Sequence, residues 1–235
     1  MADAAVTHVV PLGVSCRVTY QLRTYFRAGE AYPFDWWGSS IDGVARYLQD
    51  PDPDRIFSPD GLIEQTADGG IYTILSRTFG FQLFHEFPRR SAQTAIRVVS
   101  PQWRDHVAAA RSAHERRLQR LLDLDRPGNA IVFVRHKLDA ADDAQRIQEN
   151  VDALWRTLSA RWTIADIRLL LVNVPAFAPP CRRVLCVDFD DPPGSGPESW
   201  RGDDGRWAAA FASLGLAPRA GTLPLDASPS PGENA

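Results

Sequence analysis

Apolar residues recur along this chain with two alternating periods, and the alternation predicts its layout. Residues 6–12 form a short apolar run, read as a buried strand, and Gly13 and Ser15 turn the chain into a helix. The helix's apolar positions Val18, Leu22, Tyr25 and Phe26 fall at i, i+4, i+7 and i+8, one face of a 3.6-residue period. Ser15 takes the N-cap position, which places Cys16 in the first turn. The run Tyr32-Pro33-Phe34-Asp35-Trp36-Trp37 is extended, because a residue before proline avoids the helical region. A short helix over 41–48 and a Pro- and Asp-rich loop over 50–60 follow. Strands are expected at 71–75 and 81–87, the second with Phe81, Leu83, His85 and Phe87 alternating against Gln82, Phe84 and Glu86. A long helix spans 102–122, with Trp103, Val107, Ala110, His114, Leu118 and Leu121 on one face. Beyond Pro127-Gly128 come a strand at 131–134, a helix at 144–162 and strands at 169–174 and 184–189.

Strands alternating with helices at this spacing predict a layered α/β domain whose mixed, largely parallel central sheet is flanked by helices. Residues 1–217 are expected to form a single catalytic domain. The Pro-, Ser- and Gly-rich tail over 218–235 has no periodicity and is expected to be disordered. With 235 residues, 44% of them hydrophobic, the chain holds enough apolar material for a sizeable core. A net charge of −3 excludes a generally basic nucleic-acid binder. No apolar run approaches the ~20 residues needed to cross a bilayer, and the N-terminus shows no basic segment before an apolar one. A cytoplasmic protein with no membrane or nucleic-acid partner is the expectation. Three cysteines make no disulfide framework and suit a reducing compartment. Of 26 basic residues only Lys137 is lysine; arginine adds planar, two-pronged contacts to carboxylate and phosphate.

Cys16 is the leading chemical candidate. A helix N-terminus offers partial positive charge and free N–H groups, which favour a thiolate and can hold an oxyanion. Against this stands the plain reading of Cys16 as a small packed residue. A cysteine nucleophile needs a base beside it. His85 sits among aromatic residues that would desolvate its ring and favour the neutral form. His136, at the end of a strand, ranks second, and His8 and His114 read as packed residues. The acid that would orient His85 is Asp35 or Glu86. Neighbouring strand residues face opposite ways, so Glu86 reaches the His85 ring only where the strand ends, which Pro88 permits. Cys181 and Cys186 have no histidine near them, so no metal site is expected, and Cys186 reads as core. No histidine follows position 136, which removes the late histidine of a strand-turn-serine hydrolase. Gly194-Ser195-Gly196, set between prolines, is a loop and not a phosphate cradle. Arg116, Arg117 and Arg120 lie off the apolar stripe of their helix, as a solvated face or as a docking patch for an acidic partner.

Four segments together carry a resemblance. Leu12-Gly13-Val14-Ser15-Cys16, Tyr20-Gln21-Leu22, Pro33-Phe34-Asp35-Trp36 and His85-Glu86-Phe87 resemble a bacterial family of papain-like cysteine peptidases. That family's pattern runs Leu-Gly-x-x-Cys, Pro-Phe-Asp-Trp and His-Asp-Phe, with Glu86 here in place of the last acid. The resemblance covers roughly residues 8–175. It implies Cys16 as nucleophile, His85 as base and Asp35 or Glu86 as orienting acid, and it offers a papain-like α+β fold as the alternative to the α/β layers. More narrowly, the chain resembles the condensing enzymes of lincosamide-antibiotic pathways. That likeness implies a cysteine-dependent acyltransferase joining a carrier-bound amino acid thioester to an amine such as an aminosugar. A hydrolase with the same residues is the alternative. Phe34, Trp36, Trp37, Phe84 and Phe87 would wall the acyl-cysteine from water. The acidic carrier protein, with its phosphopantetheine arm, would meet Arg116, Arg117 and Arg120; no cofactor held by this chain itself is implied. A carbohydrate-binding module, suggested by seven tryptophans and five tyrosines, accounts for the aromatic residues less well than core packing does.

Overall fold

The computed structural model describes residues 6–67, 70–91, 97–137, 144–174, 178–191 and 199–216. In chain order its elements are β1 (Val6–Pro11), α1 (Cys16–Phe26), α2 (Ile41–Gln49), α3 (Pro53–Ile56), β2 (Leu62–Ala67), β3 (Gly70–Ser76), β4 (Phe81–Gln82), β5 (Arg89–Ser91), β6 (Arg97–Val99), α4 (Val107–Leu122), β7 (Asn129–His136), α5 (Ala144–Arg161), β8 (Asp166–Val172), β9 (Val184–Val187) and α6 (Asp204–Ser213). The central sheet has the order β1-β7-β8-β9, with every pair parallel. Its strands alternate cleanly between two cores, because successive side chains leave a strand on opposite faces. Ile131, Phe133, Leu169 and Leu171 pack with Val151, Leu154 and Leu158 of α5. Val132, Val134, Leu170 and Val172 pack with Val18, Leu22 and Phe26 of α1 and with Trp207 and Phe211 of α6. The result is the expected layered α/β arrangement, with β2-β3-β4 and β5-β6 as small antiparallel additions between α3 and α4.

Several expected elements change shape. The strand over 81–87 ends at Gln82, where the backbone exchanges hydrogen bonds with Gly38 (3.0 and 2.8 Å). The alternation that predicted it reported burial: Phe81 and Leu83 are 0% exposed, yet the chain turns after them. The 50–60 loop contains α3, started by Pro53 at its first position and by Asp52, whose side chain accepts from the Asp54 N–H. Helix α6 was also not predicted, although its Asp203 cap and the buried Trp207, Ala210 and Phe211 give a helical signal. Cys186 is exposed instead of core, because β9 is an edge strand of the central sheet. The tail over 218–235 and the Gly194-Ser195-Gly196 loop lie outside the described residues. Among the described residues no helix is long and apolar enough to cross a membrane.

Candidate active site

The carboxyl end of β1 delivers the chain to the first turn of α1, where Cys16 is the first helical residue. Ser15 takes the N-cap position with extended backbone, but its side chain makes no cap hydrogen bond. Before it, Gly13 and Val14 are both left-handed, at φ 78° and 79°. For a β-branched residue that conformation costs on the order of 1–3 kcal/mol, so the surroundings must enforce it. They do so through Ser39 and Arg135. The buried Ser39 hydroxyl accepts from the Val14 N–H (3.2 Å) and from Arg135 Nη1 (3.0 Å), and donates to the Leu12 carbonyl (3.1 Å). Arg135, 0% exposed at the end of β7, also donates to the Leu12 carbonyl (2.7 Å) and to the Ser39 carbonyl. A Cβ at Gly13 would sit 2.1 Å from Ser39 Oγ, so only glycine fits this corner.

Cys16 Sγ lies 3.5 Å from His85 Nε2 and 3.7 Å from the Trp36 carbonyl oxygen. Trp36 is itself left-handed (φ 62°) and donates its N–H to Thr19 Oγ1 on the buried side of α1 (3.2 Å). Its ring meets the His85 ring edge-on, with centroids 5.7 Å apart. Burial pushes the Cys16 thiol up to about 11, against the opposing pull of its backbone hydrogen bond and of the Arg89 guanidinium. Desolvation thus opposes the helix terminus that was expected to favour a thiolate. Desolvation by its neighbours, and then Arg89, pushes the His85 pKa down, although the residue keeps exposed surface. Desolvation thus works against a charge on either group taken singly.

Neither proposed acid touches His85. Asp35, 4% exposed, pairs with Arg23 (Oδ2 to Nη2, 2.7 Å), and its pKa rises to about 6 because burial outweighs that guanidinium. Glu86 Oε1 accepts from Trp37 Nε1 (2.8 Å) and pairs with Arg117 Nη1 (2.5 Å). The strand does end before Glu86, as Pro88 allowed, yet the carboxylate turns inward to Trp37 and Arg117. Arg117 is thus a partner of Glu86 and not part of an open arginine face. Arg116 and Arg120 are exposed and line, with His8, Gln119 and Asn129, an open concavity of about 580 Å³ beside the amino end of β7.

Of the aromatic residues expected at the site, Phe34 and Trp37 are 0% exposed and Phe87 is 4% exposed. Side chains so enclosed offer no surface to a substrate; they are core. Trp36 and Phe84 remain half-buried near His85. Sequence reasoning missed Trp200, which is 39% exposed with its ring 6.2 Å from that of Trp36. It also missed Arg89, whose guanidinium donates to the Phe84 and Tyr72 carbonyls and whose charge reaches both Cys16 and His85. Arg135 carried a signal, a charge inside an apolar strand; Trp200 carried none. His136 is buried against Trp207 with Nε2 3.6 Å from Asp191, and His114 is core, bonded to the Tyr47 hydroxyl (2.7 Å). Among the described residues no three His, Cys, Asp or Glu side chains gather as a metal site. In comparisons with known proteins, the family described as "putative papain-like cysteine peptidase (DUF1796)" matches residues 7–176, more than half of the chain. No curated protein and no solved structure matches it.

Proposed function

Because the chain belongs to the DUF1796 family of putative papain-like cysteine peptidases, we propose that it transfers acyl groups through an acyl-Cys16 intermediate, from a thioester donor to an amine. The observation that carries this reading is the 3.5 Å approach of Cys16 Sγ to His85 Nε2 at the start of α1. Sulfur attacks the donor carbonyl as its proton passes to Nε2, and the N–H groups opening α1 face the oxyanion. Collapse expels the donor thiolate, which takes the proton back. The amine then attacks the acyl-cysteine, His85 accepts its proton, and Cys16 leaves as thiol.

Two features favour an activated donor. Burial works against a charge on either group, and among the described residues no carboxylate bonds to His85. A thiol leaves a tetrahedral intermediate without strong acid help, whereas a peptide amine does not. The resemblance to lincosamide condensing enzymes supports a carrier-borne amino acid as donor and an aminosugar as acceptor, in antibiotic biosynthesis. Arg116 and Arg120 are the proposed contacts for an acidic carrier bearing a phosphopantetheine arm. A hydrolase is the second reading, favoured by the exposed surface of His85, which water can reach.

The test is intact mass after incubation with an acyl thioester of N-acetylcysteamine, with and without amine, beside Cys16→Ala. The proposal expects an adduct on the wild type alone, discharged faster by amine than by buffer. Discharge at equal rates establishes the hydrolase, and an adduct on both proteins overturns the cysteine mechanism.

A further inference from the structure

The family match ends at residue 176, yet one edge of the site comes from a segment beyond it. Ser199–Arg201 forms a single 3-10 turn laid along α1, the helix that begins with the nucleophile. Its placement is heavily determined. Arg17 donates to the Trp200 carbonyl (2.9 Å) and the Ser199 carbonyl (3.1 Å), and pairs with the buried Asp191 (2.7 Å). Gln21, 1% exposed, donates to the Arg201 carbonyl and to Asp204 Oδ1, both at 2.8 Å. The Trp200 ring is braced in turn. Tyr20 meets it edge-on at 5.4 Å, Trp36 at 6.2 Å, and the Arg201 guanidinium packs over both the Tyr20 and Trp200 rings. A tryptophan held this firmly still leaves 39% of its surface in solvent. It continues, through Trp36, an aromatic surface that ends at the His85 ring.

We propose that Trp200, with Trp36, is a substrate subsite that receives a ring with an apolar C–H face, alicyclic, aromatic or pyranose, next to the acyl-cysteine, and that Trp200 sets the preference for such substrates. The proposal rests on the acyl-transfer reading above. Aromatic side chains bind such faces by dispersion and by their quadrupole, and the rigid bracing means that little freedom is lost on binding. A ring of this kind belongs either to the acyl donor or to the amine acceptor; the chemistry is shared, and the two half-reactions separate the sources.

The test compares wild type, Trp200→Ala and Trp200→Phe. Acylation is followed with the cyclohexanecarbonyl and acetyl thioesters of N-acetylcysteamine, and discharge of acetyl-Cys16 with cyclohexylamine and methylamine. Trp200→Ala is expected to lower the ring-to-small ratio of second-order rate constants about tenfold in one half-reaction, and Trp200→Phe to restore most of it. A fall in acylation places the donor's ring on Trp200, and a fall in discharge places the acceptor's. Ratios within twofold of wild type in both half-reactions overturn the subsite. A separate readout holds even without turnover: in the Cys16→Ala protein, cyclohexanecarboxamide should shift the Trp200 indole N–H resonance. Wild type that forms no adduct, with that shift present, removes the acyl-transfer reading and keeps the ring subsite; no shift of that resonance removes the subsite.

Discussion

The two halves of the reacting pair are built in opposite ways. Cys16 stands on the parallel sheet and α1, behind a corner where Gly13 and Val14 are left-handed and where Ser39, Arg135 and Leu12 interlock. His85 stands on a turn after a two-residue strand, touching Cys16 and the Trp36 ring, with no carboxylate bonded to it among the described residues. The nucleophile is fixed by buried polar bonds that the fold itself needs. The base is held by packing and is left open to solvent. Chemistry and stability should therefore separate on the histidine side and travel together on the cysteine side.

The sharpest way to break that contrast is His85→Ala. Losing a general base should slow acylation of Cys16 by about 10²–10⁴-fold, while the urea midpoint of an exposed residue's variant stays close to wild type. A large loss of stability would place His85 in the scaffold. On the other side, Arg135→Met leaves the Leu12 and Ser39 carbonyls short of a buried donor, each such loss costing about 1–3 kcal/mol. Its unfolding free energy should fall by about 3 kcal/mol or more, and acylation should fall with it. Unchanged stability would mean that the corner is held elsewhere.

Acid should act on the scaffold first. Burial holds His136 at about 4 and His114 at about 3, below the ordinary histidine value of about 6.5. The unfolded chain therefore takes up protons below about pH 6.5 that the folded chain refuses, and stability falls as pH drops from there toward 4. Each histidine contributes a loss of about 2 kcal/mol by pH 4.5. Asp35 runs the other way, since its raised pKa makes the folded state the better proton acceptor between about 3.8 and 6. Asp35→Asn should thus steepen the acid loss in urea titrations at pH 7 and 4.5, and a shallower loss would contradict the assignment. Its effect on acylation should be the smallest of all, within about threefold, because Asp35 does not touch His85; a His85-like loss would restore it as the orienting acid.

The same contrast explains what was legible in the sequence. The parallel core was, because Ile131, Phe133, Leu169 and Leu171 and their alternating partners Val132, Val134, Leu170 and Val172 are buried on both faces of one sheet, and α5 carries an unbroken stripe. Cys16 at a helix start followed from local spacing alone. The 62–99 region was less legible: β2 buries only Leu62 fully, and the alternation through Phe87 described burial without extended pairing. Which carboxylate faces which arginine depends on chain segments far apart, Asp35 with Arg23 and Glu86 with Arg117, and no local pattern reports that. Trp200 was out of reach for the same reason, since its position is dictated by Arg17 and Gln21, more than 170 residues away.

Burial opposes a charge on Cys16 and on His85, so the pair is expected to rest as thiol and imidazole. The most direct measurement is the rate of Cys16 alkylation by iodoacetamide against pH, resolved by peptide so that Cys181 and Cys186 do not contribute. Burial of the thiol predicts a rate that climbs through neutral pH and does not level off until about pH 11. A plateau between pH 5 and 8, the signature of a preformed thiolate–imidazolium pair, would contradict it.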